Sequence, residues 1–317
     1  MAVPHLVRPA STKIHSRIMD STRWDAYRPR ADDVIIATYS KCGTTWMQRI
    51  VSMLIFATDE TMPVLSISPW LDARIFGPIE DMMAAAEAQT HRRFLKSHMP
   101  LDALPLYDDV KYIHVARDGR DAAMSLHNHF LNFTDAARAR ISEISLNDPK
   151  FGDPLPPTPG DPAVFFHDWI TEGDGDGDEG GSFFNVENSY WRERHRPNVL
   201  LVHYSDLKAD REGEIKRIAK FLEIELPDTL WPRIIEAAGF DAMKRQGDAL
   251  IPEAKMLWRE GSSSFLNKGT NGRWRECVSP DDLKRYDEKV KSQFSPALAR
   301  WVEHGRLVAG DPKQLPD

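Results

Sequence analysis

Val34-Ile35-Ile36-Ala37-Thr38 is an apolar run that ends in a polar turn, Tyr39 to Gly43, and passes at once into a helix-spaced segment, Thr44 to Ala57. A strand without polar alternation has to be covered on both faces, and a parallel sheet with helices on either side does this. In the segment that follows, Trp46, Met47, Ile50, Val51, Leu54 and Ile55 recur at helical spacing and predict one buried stripe. The pattern returns twice. Lys111 to Ala116 leads through Arg117-Asp118-Gly119 into the helical stretch Arg120 to His129, and Val199 to His203 leads through a polar turn into a helix with Ile215, Ile218, Ala219 and Leu222 on one face. Phe94 to Ser97 predicts another short strand, ending at His98. The expected fold is α/β, a parallel β-sheet flanked by helices, with residues 1–317 as one domain and a loop-rich insertion over roughly 131–185.

A chain of 317 residues buries roughly three quarters of its unfolded surface, so the core needs no staples. The two cysteines, Cys42 and Cys277, lack zinc spacing or a CxxC partner, which argues against a disulfide framework or a structural metal. Lys and Arg number 41 against 48 Asp and Glu, a net charge of -7 that disfavours nucleic acid as a partner but not a small anion. Met1 to Asp20 has no apolar signal region, and the longest apolar run, Val51 to Ala57, is too short to cross a bilayer. A soluble cytoplasmic protein without stable membrane insertion is expected. The Gly173 to Asp178 tract invites a calcium reading, but a loop starting at Asp174 would place Glu179 where glycine is needed and Asn185 where glutamate is needed. It reads as a mobile acidic loop, within a stretch from Leu131 to Gly181 expected to form long loops and short helices.

The turn after the first strand carries the first chemistry. Tyr39-Ser40-Lys41-Cys42-Gly43-Thr44-Thr45-Trp46 delivers backbone N–H groups and a helix N-terminus to one point, which suits a phosphate. Lys41 adds charge, Thr44 and Thr45 add hydroxyls, and Gly43 permits close approach. The Walker pattern is absent, which disfavours a nucleotide kinase-like phosphotransferase. Taken alone, the segment also fits an N-capped helix after an ordinary turn.

This string resembles the 5′-phosphosulfate loop of the cytosolic-type sulfotransferases, Y-P-K-S-G-T-T-W, with Ser40 and Cys42 in place of Pro and Ser. Tyr112 to Ser125 is similar to the family's 3′-phosphate segment, with Arg117 closing a strand and Ser125 eight residues later. Phe265-Leu266-Asn267-Lys268-Gly269-Thr270-Asn271-Gly272-Arg273-Trp274 resembles the family's R-K-G-x-x-G-x-W, Asn267 standing where Arg is usual. Tyr204, at the end of the third strand, and Phe240 match adenine-side positions, and Trp46 and Phe240 are suited to stack on a purine. For Arg120 and Asp121 a solvated pair on the helix surface is the alternative reading. The resemblance implies a P-loop-like fold. It also implies a sulfotransferase that uses 3′-phosphoadenosine 5′-phosphosulfate (PAPS), releases the bisphosphate PAP and requires no metal.

Phe94-Leu95-Lys96-Ser97-His98-Met99-Pro100 looks like the family's K-T-H-x-P segment, which puts His98 on the catalytic position. Sulfuryl transfer needs a base for the acceptor proton and charge for the leaving oxygen. The resemblance assigns these to His98 and Lys41, with Lys96 facing the sulfuryl oxygens. A non-catalytic nucleotide-binding relative would be favoured by loss of His98 or Lys41, and both are present. The apolar residues Trp70, Phe76, Met82, Met83, Phe130, Phe133 and Phe151 suit the acceptor, a phenol, alcohol or glycolipid, and fit a core role equally. The family's dimer motif falls on Arg275 to Lys284, where Ser279, Pro280 and Lys284 depart from it and leave the oligomeric state open.

Overall fold

The computed structural model describes residues 4–173 and 181–316. Four strands form the central sheet, β1 (Val34–Ala37), β2 (Phe94–Ser97), β3 (Lys111–Ala116) and β4 (Val199–His203), in the order β2-β1-β3-β4 with every pairing parallel. All residues of β1 and β4 are buried, as a sheet covered on both faces requires. The register aligns Ala37 with Ser97 and with His114, so the carboxyl ends of the strands lie together. Open parallel sheets place their ligands at that edge.

Helix α1 (Thr44–Phe56) runs from the end of β1 into the core. Instead of the predicted single stripe, it is buried on every side from Trp46 to Leu54, including Gln48, Arg49 and Ser52. Each polar side chain has a carbonyl partner: Gln48 on Ser68, Arg49 on Asp59 and Glu60, Ser52 on Arg49. Satisfied hydrogen bonds let polar groups share a helix face with Met53 and Ile50.

Helix α2 (Gly119–Leu131) follows β3 after Asp118, whose carboxylate caps the Arg120 N–H. Tyr204 does not end the last strand. It opens a short helix, Tyr204–Ala209, because the His203 ring accepts the Ser205 N–H and starts the helix without an intervening turn.

The stretch expected to form long loops and short helices has two helices of ten or more residues with helix-free chain over 147–161. It contains α3 (Asp135–Leu146) and α4 (Pro162–Thr171), and α5 (Phe183–Arg192) follows the tract. Thr134, Asp161 and Ser182 each cap the first turn of one of these helices, and Pro162 sits in the first turn of α4, where its missing N–H costs nothing. Of the acidic tract, Gly173 is described and Asp174 to Asp178 lie outside the described residues. No helix among the described residues is long and apolar enough to cross a membrane.

Candidate active site

A cavity of about 360 Å³ opens at the carboxyl edge of the sheet. Lys41, Gly43, Thr44, Thr45, Trp46, Lys96, His98, Arg117, Ser125, Tyr204, Phe240, Phe265, Asn267, Lys268 and Gly269 all line it. Of the residues read from the sequence as site residues, Cys42 departs from this arrangement. Its thiol is fully buried, pushed well up by burial, and its backbone N–H donates to the Tyr39 carbonyl at 3.3 Å.

The loop after β1 is shaped by two left-handed residues, Lys41 (φ 68°) and Gly43 (φ 116°). A side chain at Gly43 would be strained and would meet the Tyr204 ring at 3.1 Å. Lysine in that conformation carries a cost that functional loops tolerate when their surroundings hold them. Arg117 provides part of the hold, donating to the Lys41 carbonyl at 3.2 Å, while its other terminal nitrogen donates to the Thr270 carbonyl at 3.1 Å and to Asn271 at 2.9 Å. Its guanidinium lies 4.3 Å from the Tyr204 ring centre, and its Nε is buried without a partner. Arg117 thus ties the first loop to the loop from Asn267 to Arg273.

That second loop depends on glycine at Gly269, with φ 62° and with a built Cβ only 2.7 Å from Phe240. Its carbonyl accepts from Lys208 at 2.7 Å. Asn267, in place of the family's Arg, donates to Asn128 at 2.9 Å. Trp46 donates from its indole to the Ala238 carbonyl at 2.8 Å and meets Tyr204 edge-on, which fixes the wall beside Phe240. Arg120 and Asp121 are not a solvated pair. Arg120 bonds Asp118 and Glu303 and covers Trp274, while Asp121 accepts the Gly272 N–H at 2.6 Å.

At the middle of the cavity, His98 Nδ1 lies 2.8 Å from the Thr38 carbonyl oxygen. A carbonyl only accepts, so Nδ1 carries the hydrogen and Nε2 keeps the lone pair. Burial, with Lys96 and Lys41 nearby, holds this imidazole well below its ordinary pKa and therefore neutral at pH 7. Lys96 lies 3.8 Å from the Trp70 ring centre, and burial brings its pKa to about 8. Lys41 is brought to about 7 by burial and by repulsion from Lys96 and Arg117. Nearby anionic oxygens would reverse both shifts.

The lining also carries Trp70, Phe76, Phe130 and Phe133, read from the sequence as suited to an acceptor, and Ile18 and Met19 from the N-terminal segment. Met82, Met83 and Phe151 lie elsewhere: the Met82 sulfur accepts from Arg23, Met83 is core, and Phe151 lies against Arg17. Sequence reasoning missed Asp72, whose buried carboxylate accepts from Trp70, Trp24 and the His98 N–H. It also missed His129, which lines the cavity, although its position four residues after Ser125 on a helix was a usable signal.

Residues 31–299 match the family described as "Sulfotransferase domain". The chain is 34% identical over 311 residues to a protein named "Glycolipid sulfotransferase" of Mycobacterium bovis, covering 92% of this chain and 94% of that one. Its fold is similar to mouse sulfotransferase SULT7A1 complexed with PAP (TM-score 0.65, 20% identity, 88% of this chain and 90% of that one). It is also similar to retinol dehydratase in complex with androsterone and PAP (TM-score 0.62, 22% identity, 87% and 84% covered). With a family match over most of its length and a relative above 30% identity across nearly the whole chain, this protein belongs to the sulfotransferase domain family and is an enzyme that acts as a sulfotransferase.

Proposed function

We propose that the protein transfers a sulfuryl group from PAPS to a hydroxyl of a small-molecule or lipid acceptor. One observation carries the reading: His98, with its free Nε2, lines the same cavity as Lys41, Lys96 and Arg117, and its ring centre lies 4.9 Å from that of Trp70. The residues fit an adenosine carrying several anionic groups, because Lys41, Lys96, Arg117, Lys268 and Arg273 all line the cavity and the buried Arg117 Nε has no partner among the described residues. Gly43, Thr44 and Thr45 would hold its 5′ end. Arg117, Ser125, Lys268 and Gly269 would hold the 3′-phosphate, and Trp46, Tyr204 and Phe240 the base.

PAPS supplies an activated sulfuryl group when bound. His98 Nε2 takes the proton of the acceptor hydroxyl as the new oxygen–sulfur bond forms, and the Thr38 carbonyl steadies the imidazolium through Nδ1–H. Lys41 neutralises charge on the phosphate oxygen that departs, and Lys96 faces the sulfuryl oxygens. For the acceptor, Trp70, Phe76, Phe130 and Phe133 favour an apolar body carrying one reactive hydroxyl. The name of the mycobacterial relative and the androsterone complex of the structural neighbour point the same way.

The test is to incubate the purified protein with PAPS and panels of phenols, sterols and glycolipids. PAP release with at least one acceptor, and a PAP-dependent rise in Tm, are expected. No PAP from any acceptor together with an unchanged Tm would overturn the reading.

A further inference from the structure

One turn beyond Ser125, α2 turns His129 into the cavity. The Lys41 Nζ lies 3.4 Å from His129 Nδ1 and 3.9 Å from the centre of the Phe265 ring. The rest of the histidine's surroundings is aromatic, with ring centres of Trp258 at 4.9 Å, Phe133 at 5.1 Å and Phe265 at 5.9 Å. Rings attract a cation but give it no lone pair of hydrogen-bonding strength. Among the described residues, His129 Nδ1 is the hydrogen-bond acceptor within reach of the Lys41 amine.

We infer that His129 is a positioning residue for Lys41, its imidazole accepting a hydrogen bond that fixes where the ammonium sits and favours its charged form. The inference rests on the reading of Lys41 as the cation at the departing oxygen. A lysine on a flexible four-carbon stem has no preferred direction of its own, so a fixed acceptor is what turns it into an oriented charge. The charged groups that act on the pair are cationic or neutral bases, Lys96 and His98 from β2 and its end and Arg117 from the end of β3; of the other charged residues lining the cavity, Arg140, Lys268 and Arg273 are cationic and Glu253 is acidic. In that company an imidazole stays neutral, and a neutral imidazole has the lone pair that Lys41 requires. A phenylalanine there would fill the same space against Trp258 and Phe133 and leave the amine without an acceptor.

The experiment compares wild type, His129→Phe and His129→Gln. The pKa of Lys41 is read from the pH dependence of its acylation, followed by peptide mass spectrometry, and kcat and KM for PAPS are measured in parallel. In His129→Phe the Lys41 pKa is expected to fall by about one pH unit and kcat by about tenfold, the scale of one charge-assisted hydrogen bond, with KM for PAPS within about threefold. His129→Gln, which returns an acceptor oxygen, is expected to recover most of both. A Lys41 pKa equal in all three proteins overturns the inference, as does a glutamine variant no better than phenylalanine. If His129→Phe does not fold, the glutamine variant decides, because a Lys41 pKa more than one pH unit below that of wild type there also overturns it. The labelling needs no turnover. PAP formation with an unmoved Lys41 pKa would therefore refute this pair alone, and a shifted pKa without PAP formation would refute the assigned reaction alone.

Discussion

His98 and Thr38 are joined at 2.8 Å through a ring nitrogen and a backbone carbonyl, and this contact selects the tautomer that leaves Nε2 as a base. Thr38 is the residue after β1 and His98 the residue after β2, neighbours across the sheet. The base is therefore held by the sheet edge itself.

His98→Ala is expected to lower kcat by about 10²–10⁴, the contribution of one positioned proton acceptor. PAP affinity should stay within a fewfold, because the cations lining the cavity remain. Turnover assays and the PAP-induced rise in Tm separate the two quantities. A collapse of PAP binding would make His98 a structural support.

The pH dependence of PAP binding follows from Lys41 at about 7 and Lys96 at about 8. Both lie below the ordinary lysine value, so in the free protein each ammonium loses its proton as pH rises through its own value. A polyanion favours the ammonium forms, so binding above pH 7 takes up protons, and affinity falls as pH goes from 7 to 9 by up to about tenfold per proton per pH unit. Titration calorimetry in two buffers of different ionisation enthalpy measures the uptake. Affinity that is flat across this range, with no uptake, would contradict the assignment of both amines to the site.

Much of this edge was legible because its signals are local. An apolar run, a glycine turn and a helix start are adjacent in sequence, and Lys41, Arg117 and His98 each stand at the end of such a run. The Thr38 carbonyl has no residue signature, since every residue owns one. Asp72 reaches His98 from 26 residues away through a loop whose path periodicity does not encode. The helix α3 escaped notice because it buries only Ala137, Ile141 and Ser145, too few and too small for a visible stripe.

Gly269→Ala tests the second loop. The added methyl group would sit 2.7 Å from the Phe240 ring on a backbone with φ 62°, so either the ring or the loop must shift. Overpacking of this kind costs about 1–3 kcal/mol, and PAP affinity is expected to fall by about tenfold. The same cost is expected to lower Tm without ligand by a few degrees, roughly 2–4 °C per kcal/mol. Unaltered PAP affinity would separate Phe240 and Gly269 from the nucleotide site.

Acid stability gives an independent check on the buried imidazoles. Burial holds His98 well below its ordinary pKa and brings His203 to about 4. Below about pH 6.5 the unfolded chain binds protons at these positions that the folded chain refuses, so stability drops as pH falls, by about 1.4 kcal/mol per pH unit for each histidine. Asp72, Asp121 and Asp206 are raised carboxyls and act in the opposite sense nearer their own titration. Comparing wild type with one histidine variant from pH 7 to 5.5 therefore separates that histidine from the carboxyls, which both proteins share. His203→Gln should flatten the decline of Tm across that range, and an unchanged slope would show that His203 is protonated in the folded protein.

Asp72→Asn examines how the reaction centre is tied to the acceptor wall. The Asp72 carboxylate accepts from the Trp70 indole at 2.9 Å, the Trp24 indole at 3.2 Å and the His98 N–H at 3.1 Å. The two indoles and the backbone N–H can only donate, and an amide presents one acceptor oxygen and one NH₂ group to them. At least one donor is then left facing another donor, at a cost of about 1–3 kcal/mol. The expected outcome is a lower Tm together with a larger loss in kcat/KM for the acceptor than in PAP affinity. Trp70 both walls the acceptor end and lies against Lys96 at 3.8 Å, whereas Arg117 and the Asn267 to Arg273 loop do not depend on Asp72. Equal losses for acceptor and PAP would mean that Asp72 supports the whole fold. A variant with wild-type Tm and kcat would show that the indoles and the His98 backbone hold their places without it.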